Sequence, residues 1–545
     1  MPHSSPSKRA PAGEAPVYVL AAPGTILPGK SAPTSQRLSH VLAISALLAA
    51  APWHAPASRL PRLPAATFSV TNLNPAGAGS LRQAIQSANL NPGADTITFA
   101  TALSGTINLT GTLRITDSVQ IVGPGPGKLS VSGGHAVTVF YLHPGLSAPI
   151  TATISGLTVR NGRGLNNVSG GIYAYKTDLT LDQVDLVSNG GSVRGGGLNF
   201  DPNGLNVGLT IRDSLITGNI SLYGGGLFVA ASPAGFTLQN SQVISNSVLY
   251  SGGGVYLAQP ANALIEDTAV LSNTTTAHSG GGIFVNANTG PVTVRRTLIS
   301  GNMAVKGGGI AFYKSAADTL VEDSTLAGNH STVSGGGLEF LKGSGGAQTV
   351  RRTTVSGNSA HYGAGVYAGR LLGASLLLEN TTISGNAAGG AGGGIAFYFD
   401  SSVAVRNSTI VSNTAVNTAG GIQMYSAQVP ITNTIIAGNT APVSPDIAGN
   451  FTLRSDLVGI TSSANIIDAG GNLFGLDPLL GPLGNHGGPT QTRLPAASSP
   501  VINAGDPAFA APPDTDQRGA PRVWGGRVDI GAVETVEVFL PLVRR

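Results

Sequence analysis

The stretch Ser251–Leu257, "SGGGVYL", places three glycines directly before an alternating apolar run. Variants of this phrase recur along the chain, 26 to 29 residues apart. The glycine blocks end at Gly171, Gly197, Gly226, Gly254, Gly282, Gly309, Gly337, Gly365, Gly394 and Gly421. A regular period of this length is typical of a repeat array in which each unit packs on its neighbours. The composition agrees, since ordinary layered domains rarely combine 77 glycines with only 10% charged residues.

A second series, of single asparagines, keeps the same period as the glycine blocks. Its members are Asn161, Asn189, Asn219, Asn246, Asn273, Asn302, Asn329, Asn358, Asn386, Asn413 and Asn439. Together the two series define a unit of about 28 residues. We expect the asparagines to form a side-chain amide ladder at a turn, where Asn also tolerates a positive φ.

Apolar residues alternate within each unit and never recur at helical spacing. Val255 and Leu257 follow one glycine block, and further apolar columns stand eight and three residues before each asparagine, as in Ile265 and Val270 before Asn273. This pattern predicts three short strands, each with one buried face. A propeller blade needs about 40 residues and a helical repeat needs a 3.6-residue period. We therefore predict an all-β chain coiled as a parallel β-helix, with glycine where the coil bends sharply.

Equivalent residues of successive coils should lie about 4.8 Å apart, so each column tests the architecture. The clearest column stands seven residues before the asparagines, and its last six members alternate in sign: Asp182, Arg212, Gln239, Glu266, Arg295, Glu322, Arg351, Glu379 and Arg406. Slipping the stack by one unit would place like charges together. The alternation therefore favours a single register.

The two ends of the chain differ from the repeats. At the front, Gly79–Phe99, "GSLRQAIQSANLNPGADTITF", offers Ser80 as an N-cap with Gln83 three residues on, which predicts an amphipathic cap helix before the first strand. An open β-helix needs such a cover over its core. Earlier still, Arg37–Ala57, "RLSHVLAISALLAAAPWHAPA", predicts a signal peptide and hence export.

The charge distribution, the cysteine content and the hydrophobicity of the chain exclude several classes of protein. Residues 1–66 hold a charge of +5, which leaves about −1 for the remainder of a chain whose net charge is +4. A near-neutral body makes nucleic acid an unsuitable partner. The absence of cysteine excludes a disulfide framework, and no apolar run after the signal reaches the ~18 residues of a membrane span.

The front segment, with the "GGG" and "SGN" units, resembles secreted bacterial right-handed β-helix proteins with Pmp-like repeats. The segment Asn472–Glu534, which contains "NLFGLDPLLGPLGNHGGPTQT" and "DIGAVE", is similar to the choice-of-anchor Q domain. The resemblance implies a right-handed single-stranded parallel β-helix (solenoid) with an N-terminal cap helix and a C-terminal capping domain. It also implies a cell-surface or secreted location, and it supplies no catalytic residues.

The predicted divisions of the chain are a signal peptide and leader (1–57), N-terminal cap and first coils (66–160), regular repeats (161–445), the C-terminal domain (446–534) and a tail (535–545).

Candidate site residues lie on the outward column of the strand after the glycines. Glu339 is the lone acid there, and with Asp318 or Lys314 it is the candidate catalytic residue, although an outward carboxylate is commonly just solvated. Hydrolysis of a glycoside needs two carboxylates within about 5–10 Å. The aromatic residues of the column are candidate sugar-binding residues, or else a ladder that stiffens the sheet: Tyr173, Phe228, Tyr256, Phe284 and Tyr367.

Four acids of the C-terminal segment, Asp506, Asp514, Asp516 and Asp529, are candidate ligands for Ca²⁺, the one cofactor considered; Asp/Gly turn chemistry explains them equally well.

The sequence thus favours an exported, adhesin-like and non-catalytic monomeric scaffold. A polysaccharide lyase or glycoside hydrolase on the same fold, and a glycan-binding module, are the alternatives. The expected partners are extracellular polysaccharide or cell-envelope components.

Overall fold

The computed structural model describes residues 65–146, 148–398, 402–462, 464–524 and 526–535. The predicted signal peptide and leader, 1–57, and the tail beyond 535 lie outside these ranges. Within them, no helix has both the length and the hydrophobicity that a membrane span requires.

The described chain is a right-handed parallel β-helix of about 14 turns, which confirms the predicted fold class. Each regular coil contributes one strand to each of four columns, which we name by the sequence features beside them. The glycine sheet follows the glycine blocks; its strands are Leu113–Ile115, Phe140–Leu142, Ile172–Tyr175, Leu198–Asp201, Leu227–Val229, Val255–Ala258, Ile283–Asn286, Ile310–Tyr313, Leu338–Leu341, Val366–Gly369, Ile395–Tyr398 and the start of Ile422–Thr432. The asparagine sheet follows the asparagines; its strands are Ile220–Tyr223, Ser247–Ser251, Thr274–Thr275, Met303–Lys306, His330–Ser334, Ser359–Tyr362, Ala387–Ala391 and Thr414–Ala415.

The remaining two columns complete the coil. The charge sheet carries the alternating charges; its strands are Thr67–Val70, Asp95–Phe99, Val119–Val122, Ile150–Arg160, Thr177–Val187, Leu209–Arg212, Phe236–Gln239, Ala263–Glu266, Val292–Arg295, Thr319–Glu322, Ala347–Arg351, Ser375–Glu379, Ser402–Arg406, Ile447–Arg454 and Ala464–Asp468. The short sheet comes next; its strands are Gly105–Asn108, Leu129–Ser132, Leu215–Thr217, Gln242–Ile244, Ala269–Leu271, Leu298–Ser300, Thr325–Ala327, Thr354–Ser356, Thr382–Ser384, Thr409–Val411, Ile435–Ala437, Leu457–Val458 and Leu473–Phe474. A few long strands bend between columns, so hydrogen bonds link three of them into one 40-stranded sheet.

Inward side chains of all the coils form one continuous apolar core that extends from Val70 to Val458. At the front of the core, the helix Leu81–Leu90 begins at the N-cap Ser80, whose side chain accepts a hydrogen bond from the N–H of Gln83. The Gln83 side chain accepts a hydrogen bond from the N–H of Gly79 at 2.9 Å, one residue before the N-cap, so half of the expected capping box forms and its second bond is shifted by one residue. Leu81 and Ile85 are buried on the helix face that joins this core.

The asparagine side chains form a buried ladder from Asn189 to Asn439. In each step the side-chain N–H₂ donates to the side-chain oxygen of the next coil, as from Asn302 to Asn329 at 2.9 Å. The expected positive φ occurs at Asn161, which precedes the ladder, at 51°. In the ladder itself the positive φ belongs to the residue before each asparagine, such as Gly301 at 66°. In the "SGN" phrase, two neighbouring residues therefore have different roles. The glycine adopts the positive φ of the turn, and the asparagine side chain hydrogen-bonds to the next coil along the axis.

The glycine blocks mark the corner between the asparagine and glycine sheets. Gly252 has a φ of 70°, a region that disfavours side chains with a Cβ. At Gly254 the cause is packing, because a Cβ would lie 2.7 Å from the carbonyl oxygen of Gly282 in the next coil. Both causes act in nearly every repeat, which explains why the blocks recur.

The solenoid continues past the predicted boundary at 446 and ends with the pairing of Leu457–Val458 to Leu473–Phe474. The following described residues, 475–524 and 526–535, run back along the outer side of the coils. Gln517 hydrogen-bonds Thr382 and Thr354, and the N–H of Ala532 donates to Thr409. This return segment therefore covers the outward hydroxyl groups of the short sheet over several coils, in addition to any role at the end of the core.

Candidate functional site

At the corner where the asparagine sheet turns into the glycine sheet, two columns of side chains face each other and form two walls. One wall consists of the residues before the corner glycines, including Tyr223, Lys306, Ser334 and Tyr362. The other wall is the outward column of the glycine sheet: Tyr173, Asn199, Phe228, Tyr256, Phe284, Ala311, Glu339, Tyr367, Ala396 and Gln423. The walls contact each other, since the rings of Tyr223 and Tyr256 meet edge to face at 5.8 Å. We call these two facing walls the corner groove, in which most of the outward column is buried in the free protein.

The aromatic residues of the groove stack chiefly on one another. Phe228 and Tyr256 have ring centroids 4.9 Å apart at 21°, and Tyr256 and Phe284 are 5.1 Å apart. Phe228 and Phe284 are only 5% and 7% exposed, so neighbouring rings cover their faces, as in the ladder that was the alternative to sugar binding. The reason is the coil spacing, which brings each ring into van der Waals contact with the next. Their role in ligand binding stays a prediction.

The tyrosines of the column keep part of their surface exposed. Tyr173, Tyr256 and Tyr367 are half-buried. Burial raises the pKa of Tyr256 and of Tyr367 to about 12 and raises that of Tyr173 further. Their hydroxyl groups are therefore neutral at physiological pH, where they donate and accept hydrogen bonds but make poor bases.

Glu339 does not point into solvent, as a lone outward carboxylate would. It is 2% exposed, and its Oε1 accepts a hydrogen bond from Ser334 Oγ at 2.8 Å across the corner. Burial raises its pKa to about 7, against smaller lowering effects of the Ser334 hydrogen bond and the Lys306 charge. A carboxyl group with this pKa exchanges protons at neutral pH, which is the property of a general acid or base.

The two partners proposed for Glu339 from sequence have different positions. Asp318 adjoins the charge sheet, where its carboxylate accepts a hydrogen bond from the N–H of Ala347 at 2.8 Å, so it is not brought to Glu339. Lys314 directly follows the strand Ile310–Tyr313, which pairs with the strand of Glu339. Lys314 therefore lies on the same side of the solenoid, one coil away.

Sequence reasoning missed Ser334 and Lys306, the two polar wall residues beside Glu339. Both stand directly before a corner glycine, and they pair with each other in adjacent coils. Counting one position back from each of these glycine blocks gives Arg194, Tyr223, Ser251, Ser279, Lys306, Ser334 and Tyr362, in which Arg194 and Lys306 are the two cations and Lys306 is the one next to Ser334. The signal was available, but only the fold shows that this position faces the outward column.

The aromatic lining of the outward column is interrupted at Glu339. Between Phe284 and Tyr367 the column has only Ala311 and Glu339, so three coil steps, or about 14 Å, separate the two rings. Lys306 and Ser334 occupy the facing wall over the same interval. The groove thus has a short polar interval with an acid, a cation and a hydroxyl, flanked by aromatic residues along the axis.

The four acids proposed for Ca²⁺ act as hydrogen-bond and ion-pair partners. Asp516 pairs with Arg518 at 2.9 Å, Asp506 pairs with Arg454 at 2.7 Å, and Asp529 accepts from the N–H of Asn503. For Asp514 the backbone carbonyl accepts from the N–H of Arg522. Across the described ranges, no three acidic or histidine side chains converge as metal ligands. The geometry therefore favours the turn-forming interpretation of these residues.

A cavity of about 450 Å³ lies between the last coils and the return segment. Its polar groups are already engaged: Asp446 accepts from Asn439 at the end of the amide ladder, and Arg493 donates to Ser384 and to the carbonyl of Gly481. These contacts anchor the return segment and end the ladder, which accounts for the polar lining without a ligand.

Comparison with known proteins concerns the fold. Residues 147–329 match the family model "Right handed beta helix region". No curated protein matches the chain. Solved structures with a similar fold act on polysaccharides. One is the catalytic unit of a GH87 alpha-1,3-glucanase from Streptomyces thermodiastaticus strain HF3-3, at 15% identity, covering 75% of this chain and 70% of that one, with a TM-score of 0.41.

Two further solved structures show the same likeness. The mannuronan C-5 epimerase AlgE4 A-module of Azotobacter vinelandii has 14% identity over 75% of this chain and 95% of that one, with a TM-score of 0.33. Pectate lyase Pel9A has 14% identity over 86% of this chain and 96% of that one, with a TM-score of 0.30. The family match over residues 147–329 agrees with the strand register, and the chain has the right-handed parallel β-helix fold.

Proposed function

We propose that this protein acts on a polysaccharide that lies along the corner groove, with Glu339 as the group that transfers a proton. The observation that carries the proposal is the state of Glu339: a buried carboxyl group with a pKa of about 7, held by Ser334 in the polar interval of the groove. Glu266 and Glu379 of the charge sheet are instead paired with arginine. Glu534 of the return segment also has a pKa raised to about 7, but its carboxylate accepts hydrogen bonds from the N–H groups of Trp524 and Asp529 and lies away from the corner.

The surroundings of Glu339 restrict the reaction class. Hydrolysis by the two-carboxylate mechanism places the second carboxylate about 5–10 Å from the first. Among the described residues, the groups that interact with Glu339 are Ser334, Lys306 and Tyr367, and none of them is an acid. This set favours proton abstraction or donation beside a cation over glycoside hydrolysis.

Access to the carboxyl group requires a movement, because Glu339 is 2% exposed. The neighbouring wall residues Lys306 and Tyr362 are half-buried, and both have long side chains. We infer that the polymer displaces one of them on binding. Covering the acid in the free protein keeps its pKa high, since water would lower it.

The test compares Glu339→Gln with the parent chain on a panel of soluble polysaccharides. We measure new reducing ends and the ultraviolet absorbance of unsaturated products. Loss of a general acid or base typically costs 10²–10⁴-fold in rate, so E339Q should lose at least about 100-fold while binding persists. Glu322→Gln, which alters a buried glutamate of the charge sheet, should keep the activity. Parent-level turnover by E339Q would refute the assignment.

The second candidate is the non-catalytic surface scaffold that the sequence favoured. The specific observation behind it is the burial of Glu339 among residues that lack a second acid. In that case no polymer is cleaved by the parent chain. Tyr256→Ala then separates the remaining options, because a glycan-binding module loses retention on a polysaccharide matrix and a plain scaffold shows none in either form.

A further inference from the structure

Three successive coils carry a cation at the same position. Lys314, Lys342 and Arg370 directly follow the strands Ile310–Tyr313, Leu338–Leu341 and Val366–Gly369, and all three residues have a φ between 50° and 58°. Their side chains are exposed. The paired strands place them one coil apart along the axis, at about 4.8 Å per step. We call these residues the cation row.

Stacking like charges in this way is unfavourable, and the chain avoids it elsewhere. In the charge sheet, Arg295 pairs with Glu266 and Arg351 with Glu322, so cations alternate with acids. In the part of the chain that the structure describes, no carboxylate forms an ion pair with any member of the cation row. The row therefore presents an uncompensated positive charge on a body that is near neutral overall.

An aromatic ring holds two of these cations in place. The Nζ atoms of Lys314 and Lys342 lie 5.4 and 5.5 Å from the ring centroid of Tyr313, on which both form cation–π contacts. Lys342 Nζ is also 3.4 Å from Tyr313 Oη. Fixing two flexible lysines beside one ring reduces the entropy that an anionic ligand would have to remove on binding.

The cation row runs parallel to the polar interval of the corner groove. Lys342 follows Glu339 by three residues in the same extended segment, a separation of about 10 Å. Lys306 supplies a fourth cation in the facing wall. A polymer lying in the groove would therefore pass with one side toward Glu339 and the other toward the row.

We propose that the ligand of this face is an acidic polysaccharide, whose charged groups along the chain meet Lys314, Lys342 and Arg370. This inference rests on the proposed function, because it names the polymer that the corner groove receives. A ladder of cations with a repeat of about 4.8 Å suits an extended polymer with anionic groups at regular intervals better than it suits a single small anion. Three cations are too few to favour nucleic acid, which is bound through broader basic faces.

The experiment uses the full chain and two forms of one polymer, polygalacturonate and its methyl ester, so that backbone and size stay the same while charge is removed. Affinity is measured by calorimetry at low salt and at about 0.15 M salt. We expect polygalacturonate to bind at least about tenfold more tightly than the ester at low salt, and the difference to shrink as salt rises.

Two double variants each remove two positive charges, one pair from the cation row and the other pair from elsewhere on the surface. Lys314→Gln with Lys342→Gln should weaken polygalacturonate binding about tenfold and leave binding of the ester unchanged. Lys128→Gln with Arg160→Gln, two exposed cations elsewhere, should leave both affinities unchanged. Equal losses from the two double variants would overturn the inference, because the effect would then reflect net charge alone.

Binding of further polymers shows whether this inference, the proposed function or both have failed. Equal binding of polygalacturonate and its ester, with loss of both on Tyr256→Ala, would refute the cation row as an anion site and keep the groove. Binding of poly-L-glutamate as tight as that of polygalacturonate would refute the polysaccharide part. Tighter binding of dextran sulfate would assign sulfate rather than carboxylate as the preferred anion. Binding of none of these polymers would refute both proposals.

Discussion

Arg351 lies one coil beyond Glu322 in the charge sheet, with its Nη2 atom 2.8 Å from Glu322 Oε2. Arg352 also binds this oxygen, at 2.9 Å, and bonds to Asp323 beside it. Two adjacent acids of one coil thus meet two adjacent arginines of the next. The Glu322 side chain is 10% exposed, so solvent screens these contacts less than it screens a surface pair.

A double-mutant cycle tests this relationship. Glu322→Gln, Arg351→Gln and the double variant should give a coupling free energy of about 1 kcal/mol in urea unfolding. The Asp182–Arg212 pair is the matched control, since its side chains are 26% and 51% exposed and should couple less. Equal coupling in both pairs would show that burial of Glu322 does not strengthen its ion pair.

A single substitution in the amide ladder should greatly lower the free energy of unfolding. Asn329 donates to the carbonyl of Ile299 and to Asn358, and its oxygen accepts from Asn302. Asn329→Ala leaves several buried groups unpaired, so we expect a loss of about 3 kcal/mol in the free energy of unfolding. Asn417→Ala, at an exposed position, should change stability by less than about 0.5 kcal/mol. A small effect at Asn329 would mean that water replaces the lost bonds.

Stability should depend on pH through Glu339. Its pKa is raised from 4.5 to about 7, so the folded protein holds the proton more tightly than the unfolded chain does. Glu339 therefore makes the free energy of unfolding fall as pH rises between these values, by roughly 3 kcal/mol in total. Glu339→Gln should remove this part of the slope and leave the variant more stable than the parent above pH 7. An unchanged profile from pH 4 to 8 would contradict the burial of an ionisable group here.

The return segment should depend on Gln517. Its Nε2 donates to Thr354 and Thr490 at 3.0 Å, and its Oε1 accepts from Thr382 at 2.6 Å. Gln517→Ala leaves these hydroxyls with fewer partners in a buried interface, so we expect proteases to cut the return segment several-fold faster. The exposed Gln491→Ala is the control. Equal cleavage of both variants would show that other contacts hold the segment.

The contacts between column residues of the solenoid were largely predictable. Successive coils of a parallel β-helix are stacked at one constant rise, so a repeat of about 28 residues places equivalent positions over one another. This is why Glu322 and Arg351 could be paired from sequence alone. Except at Asn161, the positive φ was assigned to the residue after the one that has it, because periodicity locates a turn only to within a position or two. Gly301 and Asn302 are neighbours, and only backbone geometry tells which of them turns.

The groove was harder to predict, since its two walls come from strands on opposite sides of a corner. The sequence identified Glu339 as an unusual acid but took its outward position to mean exposure. In the structure the wall that begins with Tyr223 and includes Ser334 folds over the outward column, which buries Phe228, Phe284 and Glu339. An outward side chain beside a sharp corner faces a second sheet and not water.

The sequence by itself determined the solenoid, its period, its register and its front helix, because these depend on local periodicity and on pairing between nearest neighbours. Only the tertiary structure decided which outward residues are buried, which polar residues surround Glu339, and where the return segment lies. Those features depend on contacts across a corner or between residues more than 100 positions apart, such as Thr382 and Gln517. No periodic pattern encodes the distance between such residues.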